Sequence, residues 1–171
     1  MAFPTIQDLK ELTVFLNALN VSWAYSGSLA MYIHGSILRD PRADESRFPN
    51  DVDILTNSVP VVSFALAGRI HNANLNNPPG TQSLKCRITN AVQVTQENGA
   101  RAYWNIDVVR SDREFGSLSN FIIYSWGDQG HPIVSLQSLI SSKEAIIKDE
   151  DLEDYHDGAK TDLNYLIGLQ G

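Results

Sequence analysis

Asp51 and Asp53 stand two residues apart in Asp51-Val-Asp-Ile-Leu-Thr56, a run that otherwise reads as a strand. Strand side chains alternate between faces, so both carboxylates project from one face, about 7 Å apart along the chain. Two like charges held this close repel each other. A fold tolerates them where a divalent cation sits between them. Upstream, Ser26-Gly-Ser-Leu-Ala-Met-Tyr-Ile-His-Gly35 closes a short apolar run and opens a helical one. Gly27 lets the backbone turn tightly and approach a ligand without a side chain in the way. Ser28 adds a hydroxyl donor, and the first N–H groups of the following helix favour phosphate. In isolation Gly27-Ser28 is an ordinary helix start. Beside the two acids, it reads as a phosphate-gripping turn facing a metal-gripping strand.

A third acid strengthens that reading. Asp107 lies in Trp104-Asn-Ile-Asp-Val-Val109, a strand-like run whose alternation puts it on one face with Asn105 and Val109. Acids are depleted in strands and seldom buried unpaired. Taken alone, Asp107 has bland explanations, such as an ion pair with Arg110 or a place on an edge strand. With Asp51 and Asp53 it completes the set of about three carboxylates that a two-magnesium phosphoryl-transfer site requires.

The rest of the chain supplies a sheet and its covering helices. Thr5 and Asp8 resemble a capping box for a first helix running through Asn20, with apolar residues at Ile6, Leu9, Leu12, Val14, Phe15, Leu16 and Leu19. Val21 to Tyr25 predicts a short buried strand, and Ser28 to His34 a helix stopped by Gly35. Residues 37–50 are polar and irregular and carry Arg39, Arg42 and Arg47. Arginines on such a loop either serve a phosphate site or are simply solvated. Val61 to Ala73 reads as a helix entered near Pro60. Asn72 to Thr81 reads as a turn-rich loop. Strands are predicted at 83–89, 91–96 and 103–109, with Asn98-Gly99 as a hairpin signal, and at 121–126 and 133–134. Leu136 to Lys148 and Leu152 to Leu169 predict two C-terminal helices.

Composition narrows the function classes. The 171 residues favour one domain spanning the whole chain, and 43% are hydrophobic, enough for a core. The net charge of -7 argues against an extended nucleic-acid surface. Cys86 is the single cysteine, so no internal disulfide forms and no zinc cluster is present. No apolar run approaches the ~18–20 residues of a membrane span, and the first residues lack signal-peptide character. The expectation is a cytoplasmic protein without a membrane partner.

Lys143 and Lys160, on the predicted C-terminal helices, are candidate phosphate contacts, although exposed helical lysines are usually solvated. His34 reads as a packing or hydrogen-bonding residue. His71, His131 and His156 show no metal-ligand spacing, and Trp104 and Trp126 read as core aromatics. The acidic run between Asp149 and Asp157 reads as a solvated helix start.

Gly27-Ser28, Asp51-x-Asp53 and Asp107, in that order, resemble the nucleotidyltransferase superfamily, the group with a DNA polymerase beta-like fold. Tyr25-Ser-Gly-Ser-Leu-Ala-Met-Tyr-Ile-His-Gly35 is similar to the small bacterial members, the lincosamide-type antibiotic nucleotidyltransferases and the AbiEii-type toxins. Ala159-Lys-Thr-Asp-Leu163 is similar to their Lys-Asp pattern on a late helix, with Thr161 interrupting it. Residues 37–50 form a longer connection than many relatives have, so the arginine positions do not carry over. The resemblance implies an α/β (α+β) fold: a mixed, mostly antiparallel central sheet flanked by helices, with two C-terminal helices. It implies an enzyme that moves a nucleoside monophosphate from a nucleoside triphosphate, ATP included, to a hydroxyl acceptor with release of pyrophosphate. Asp51, Asp53 and Asp107 would hold two Mg2+ ions, with Mn2+ as a substitute. Asp107 would also receive the hydroxyl proton. Gly27, Ser28, Lys143, Lys160, Arg39 and Arg47 would contact the nucleotide. The acceptor is a small molecule, RNA or protein, and the partner is a second copy of the chain or an antitoxin. The alternatives are a toxin-type transferase held off by that antitoxin, or a non-catalytic nucleotide- or partner-binding module on the same fold. Three intact acids argue against the module.

Overall fold

The computed structural model describes residues 6–36, 51–69, 74–76, 85–95, 101–110, 121–126 and 129–170. Helix α1 (Ile6–Asn17) leads into strand β1 (Trp23–Ser26), then α2 (Gly27–Met31), which continues as a wider helical turn (Tyr32–Ser36). Next come β2 (Asp51–Thr56), α3 (Val59–Arg69), β3 (Asn74–Asn76), β4 (Lys85–Thr95) and β5 (Arg101–Arg110). The chain finishes with β6 (Phe121–Trp126), β7 (Gln129–Val134), α4 (Leu136–Lys148), a 3-10 segment (Glu150–Tyr155) and α5 (His156–Gln170). The strands form one seven-stranded sheet in the order β3-β4-β5-β2-β1-β7-β6. β1 runs parallel to β7 and β2 parallel to β5, whereas the other four pairs are antiparallel. This is the mixed, mostly antiparallel sheet with C-terminal helices that the sequence predicts.

Alternation along the two central strands separates core from site. Val52 and Ile54 on β2 pair with Ile106 and Val108 on β5, and all four are fully buried. Each such side chain contributes about 1.5–3 kcal/mol on burial, so this face anchors the sheet. The intervening positions, Asp53 and Asp107, belong to the opposite face. Leu9, Leu12 and Leu16 give α1 its buried stripe, and Leu29, Ala30 and Met31 seat α2 in the same core.

A polar chain crosses that core. The Tyr25 hydroxyl donates to the Leu9 carbonyl at 3.3 Å. It therefore accepts from the Thr13 hydroxyl at 2.9 Å, and Thr13 in turn accepts from Nδ1–H of His131. Tyr25, Thr13 and His131 are fully buried, and burial pushes the Tyr25 phenol well above its usual range, which keeps it a donor. Thr13→Val removes the middle link at nearly constant volume. It is expected to cost about 1–3 kcal/mol by urea denaturation, because its buried partners lose their bonds.

The structure corrects several boundaries. Residues 74–76, inside the predicted loop, form β3 and pair antiparallel with β4. Three residues carry too little pattern to read as a strand, and Asn disfavours one; the β4 edge supplies the pairing. The predicted strands at 83–89 and 91–96 are one strand, β4, with a register shift between Ile88 and Val92. The last helix is preceded by the 3-10 segment, which Asp149 caps by accepting from the Asp151 N–H at 2.9 Å. The Thr5 cap, His71, Asn98-Gly99 and the three loop arginines lie outside the described residues. Among the described residues, no helix is long and apolar enough to cross a membrane.

Candidate active site

β2 lies between β1 and β5, and its residues from Asp53 to Thr56 have a paired neighbour on either side. Asp53 pairs with Ser26 on β1 and with Asp107 on β5. Asp107 pairs in turn with Arg87 on β4. Ser26, Asp53, Asp107 and Arg87 thus form one row of positions across four strands. Directly opposed positions bring Cβ atoms to about 4.5–5.5 Å, and like charges so placed destabilise a sheet. β5 is an interior strand and Asp107 is only 2% exposed, which removes the edge-strand explanation of this acid. Asp51 begins β2 opposite Asn105, and its side chain lies outside the described set.

The turn after β1 closes against Asp53. Gly27 has φ +59, the left-handed region that disfavours a side chain. A Cβ built on it would lie 1.9 Å from Oδ2 of Asp53, 2.6 Å from Cγ and 2.9 Å from Cβ. The Asp53 carboxylate therefore occupies the space a side chain at position 27 would need. Ser28 follows in the first turn of α2, half-buried. The end of the helical segment is tied down as well. His34 Nε2 donates to the Val134 carbonyl at 2.9 Å, and the Tyr165 hydroxyl donates to the Gly35 carbonyl at 2.7 Å. Gly35, at φ +110, ends the helix as the sequence predicts.

The two candidate lysines have different surroundings. Lys143 Nζ lies 3.0 Å from Oδ2 of Asp162, an ion pair between α4 and α5 with side-chain exposures of 18% and 5%. Lys160 is exposed, off the stripe of Ala159, Asp162 and Leu166 that α5 buries. Lys143→Met is expected to destabilise the fold by about 3–5 kcal/mol, since it strips a buried carboxylate of its counter-ion. Lys160→Ala should stay within about 0.5 kcal/mol in the same urea titration.

His131 belongs to the buried polar chain, and His156 Nε2 donates to the Asp149 carbonyl at 2.8 Å, so both serve the fold. The sequence reading passed over two positions of the row, Ser26 and Arg87. Ser26 could be found from its place directly before Gly27. Arg87 carries no local signal, because its register depends on how β4 folds back on β5.

No protein-family model and no curated protein sequence matches the chain. Solved structures do match. An antigenic nucleotidyltransferase-like protein from Paracoccidioides brasiliensis superposes with a TM-score of 0.55 at 13% identity, over 98% of this chain and 79% of that one. The lincosamide antibiotic adenylyltransferase LnuA, in its lincomycin-bound structure, superposes with a TM-score of 0.52 at 12% identity, over 98% of this chain and 99% of that one. The chain has the nucleotidyltransferase fold. At such identities the likeness concerns the fold alone. Within this nucleotidyltransferase fold, the acids whose side chains are described at the central row are Asp53 and Asp107. Among the described side chains, no trio of His, Cys, Asp and Glu converges to hold a metal ion. Side-by-side carboxylates on neighbouring strands are hard oxygen donors, a donor set that fits magnesium or manganese.

Proposed function

We propose that this protein is a magnesium-dependent nucleotidyltransferase. It would move a nucleoside monophosphate from a nucleoside triphosphate to a hydroxyl acceptor and release pyrophosphate. The observation that carries this reading is the pairing of Asp53 with Asp107 on parallel central strands, with the Gly27 turn closed against Asp53. The acceptor oxygen attacks the α-phosphorus, a new P–O bond forms, and the bond to the β-phosphate oxygen breaks. The hydroxyl proton passes to a carboxylate, for which Asp107 is our choice. Mg2+ bound between the acids would neutralise phosphate charge and lower the pKa of the acceptor hydroxyl. Asp51, at the start of the same strand, is the proposed third ligand. Gly27 and Ser28 are the proposed phosphate contacts. Lys160, exposed on α5, is better placed than the paired Lys143 to reach a mobile ligand.

ATP as donor and a small-molecule acceptor are favoured by the likeness to an antibiotic adenylyltransferase that this chain covers almost from end to end. The net charge of -7 also disfavours RNA as the acceptor. The test is incubation with nucleoside triphosphates labelled in the α-phosphate, magnesium and fractionated cell extract. Label in the small-molecule fraction supports this reading. Label in RNA or protein moves the acceptor class. Nucleotide binding without any transfer supports a binding module instead.

A further inference from the structure

We propose that Ser26 is a positioning residue of this site, donating its hydroxyl to the Asp53 carboxylate and holding it for the divalent cation. The inference rests on the nucleotidyltransferase reading above. Ser26 is the last residue of β1 and pairs directly with Asp53. Its backbone is extended, at φ -134 and ψ -163, so strand alternation carries through it and its position falls in the row of Asp53 and Asp107. It is also the N-terminal capping residue of α2. A serine there ordinarily accepts a hydrogen bond from an N–H of the first helical turn. Ser26 makes no such bond, and among the described residues its hydroxyl has no other partner.

A half-buried hydroxyl that leaves its cap unmade is available to a different acceptor. The nearest acceptors in its row are carboxylates, and an ionised carboxylate is acceptor-only, with about four lone-pair sites. One oxygen of Asp53 lies against Gly27, and the lone-pair sites of a carboxylate let it accept from more than one donor. Directly opposed positions put that group within reach of Oγ after rotation about one bond. A donor here would fix the orientation of a metal ligand without adding charge to a row that already holds two acids. Support of this kind for a ligand typically governs metal affinity by about 10–100-fold.

The test compares the whole chain with Ser26→Ala and Ser26→Thr. Mn2+ binding is read by the loss of the free-ion electron paramagnetic resonance signal, without nucleotide, beside thermal melting. Ser26→Ala is expected to weaken Mn2+ binding about tenfold. Its melting temperature should stay within about 2 °C of the parent, because no capping bond is lost. Ser26→Thr, which keeps the hydroxyl, should restore binding to within about twofold of the parent, a small fraction of the effect of losing the donor. If the parent binds Mn2+ and Ser26→Ala binds equally well, the Ser26 role is overturned while the metal site stands. If Ser26→Ala weakens binding and Ser26→Thr fails to restore it, the hydroxyl is not the agent and the role is overturned. If the parent itself binds no Mn2+, the metal-dependent reading falls and this role falls with it.

Discussion

Gly27→Ala is expected to remove activity and weaken the fold at once. Alanine in the left-handed region costs about 1–2 kcal/mol. The added methyl would also sit 1.9 Å from Oδ2 of Asp53, so the carboxylate or the turn must move. Together these should lower stability by about 2–3 kcal/mol, which for a chain of this size is about 5–10 °C in melting temperature. Transfer activity should fall at least ~100-fold, because a displacement of the order of 1 Å at a reacting centre costs that much. Both effects come from one contact. The three heavy atoms nearest to a Cβ at position 27 all belong to the Asp53 side chain. A variant with parental melting temperature and parental activity would mean that the turn does not close against the acid.

Asp53→Asn is expected to separate stability from activity. Asp53 and Asp107 are direct neighbours on parallel strands, so neutralising Asp53 relieves a like-charge opposition. Stability should hold or rise by about 0.2–1 kcal/mol, measured by urea denaturation. Magnesium-dependent pyrophosphate release should fall at least ~100-fold, since an amide is a poor ligand for a hard divalent cation. Loss of stability with full retained activity would assign Asp53 to the fold and remove it from the metal site. The two substitutions are therefore complementary. Gly27→Ala perturbs the shape around the acid, and Asp53→Asn perturbs its charge at nearly constant shape.

The acids were legible in the sequence because a charged residue in an apolar strand breaks the local pattern. Asp51 and Asp53 interrupt one run, and Asp107 another. The pairing of Asp53 with Asp107 was not legible, because it depends on β2 running parallel to β5 and on a register that only the folded sheet defines. Ser26 shows the same limit. Nothing beyond its place before Gly27 singles it out in sequence, and only its pairing with Asp53 puts it in the row of acids. The C-terminal helix α4 was predicted with the bounds it has, because thirteen residues carry several turns of helical periodicity. β3 was missed because it is a three-residue asparagine-rich edge that its neighbour, β4, pairs with. Lys143 looked like any solvated helical lysine. Its partner Asp162 lies on the next helix, and no periodicity within α4 reports a contact with α5.

The proposed role of Asp53 and Asp107 is transfer of a nucleoside monophosphate. The most direct measurement compares nucleoside triphosphates labelled in the α-phosphate with those labelled in the γ-phosphate. Both are incubated with the protein, magnesium and the acceptor fraction, and Asp53→Asn serves as control. Acceptor-bound label is expected from the α-labelled donor only, with γ-label released as pyrophosphate and both signals lost in Asp53→Asn. Acceptor-bound label from the γ-labelled donor, or α-label transfer undiminished in Asp53→Asn, would contradict it.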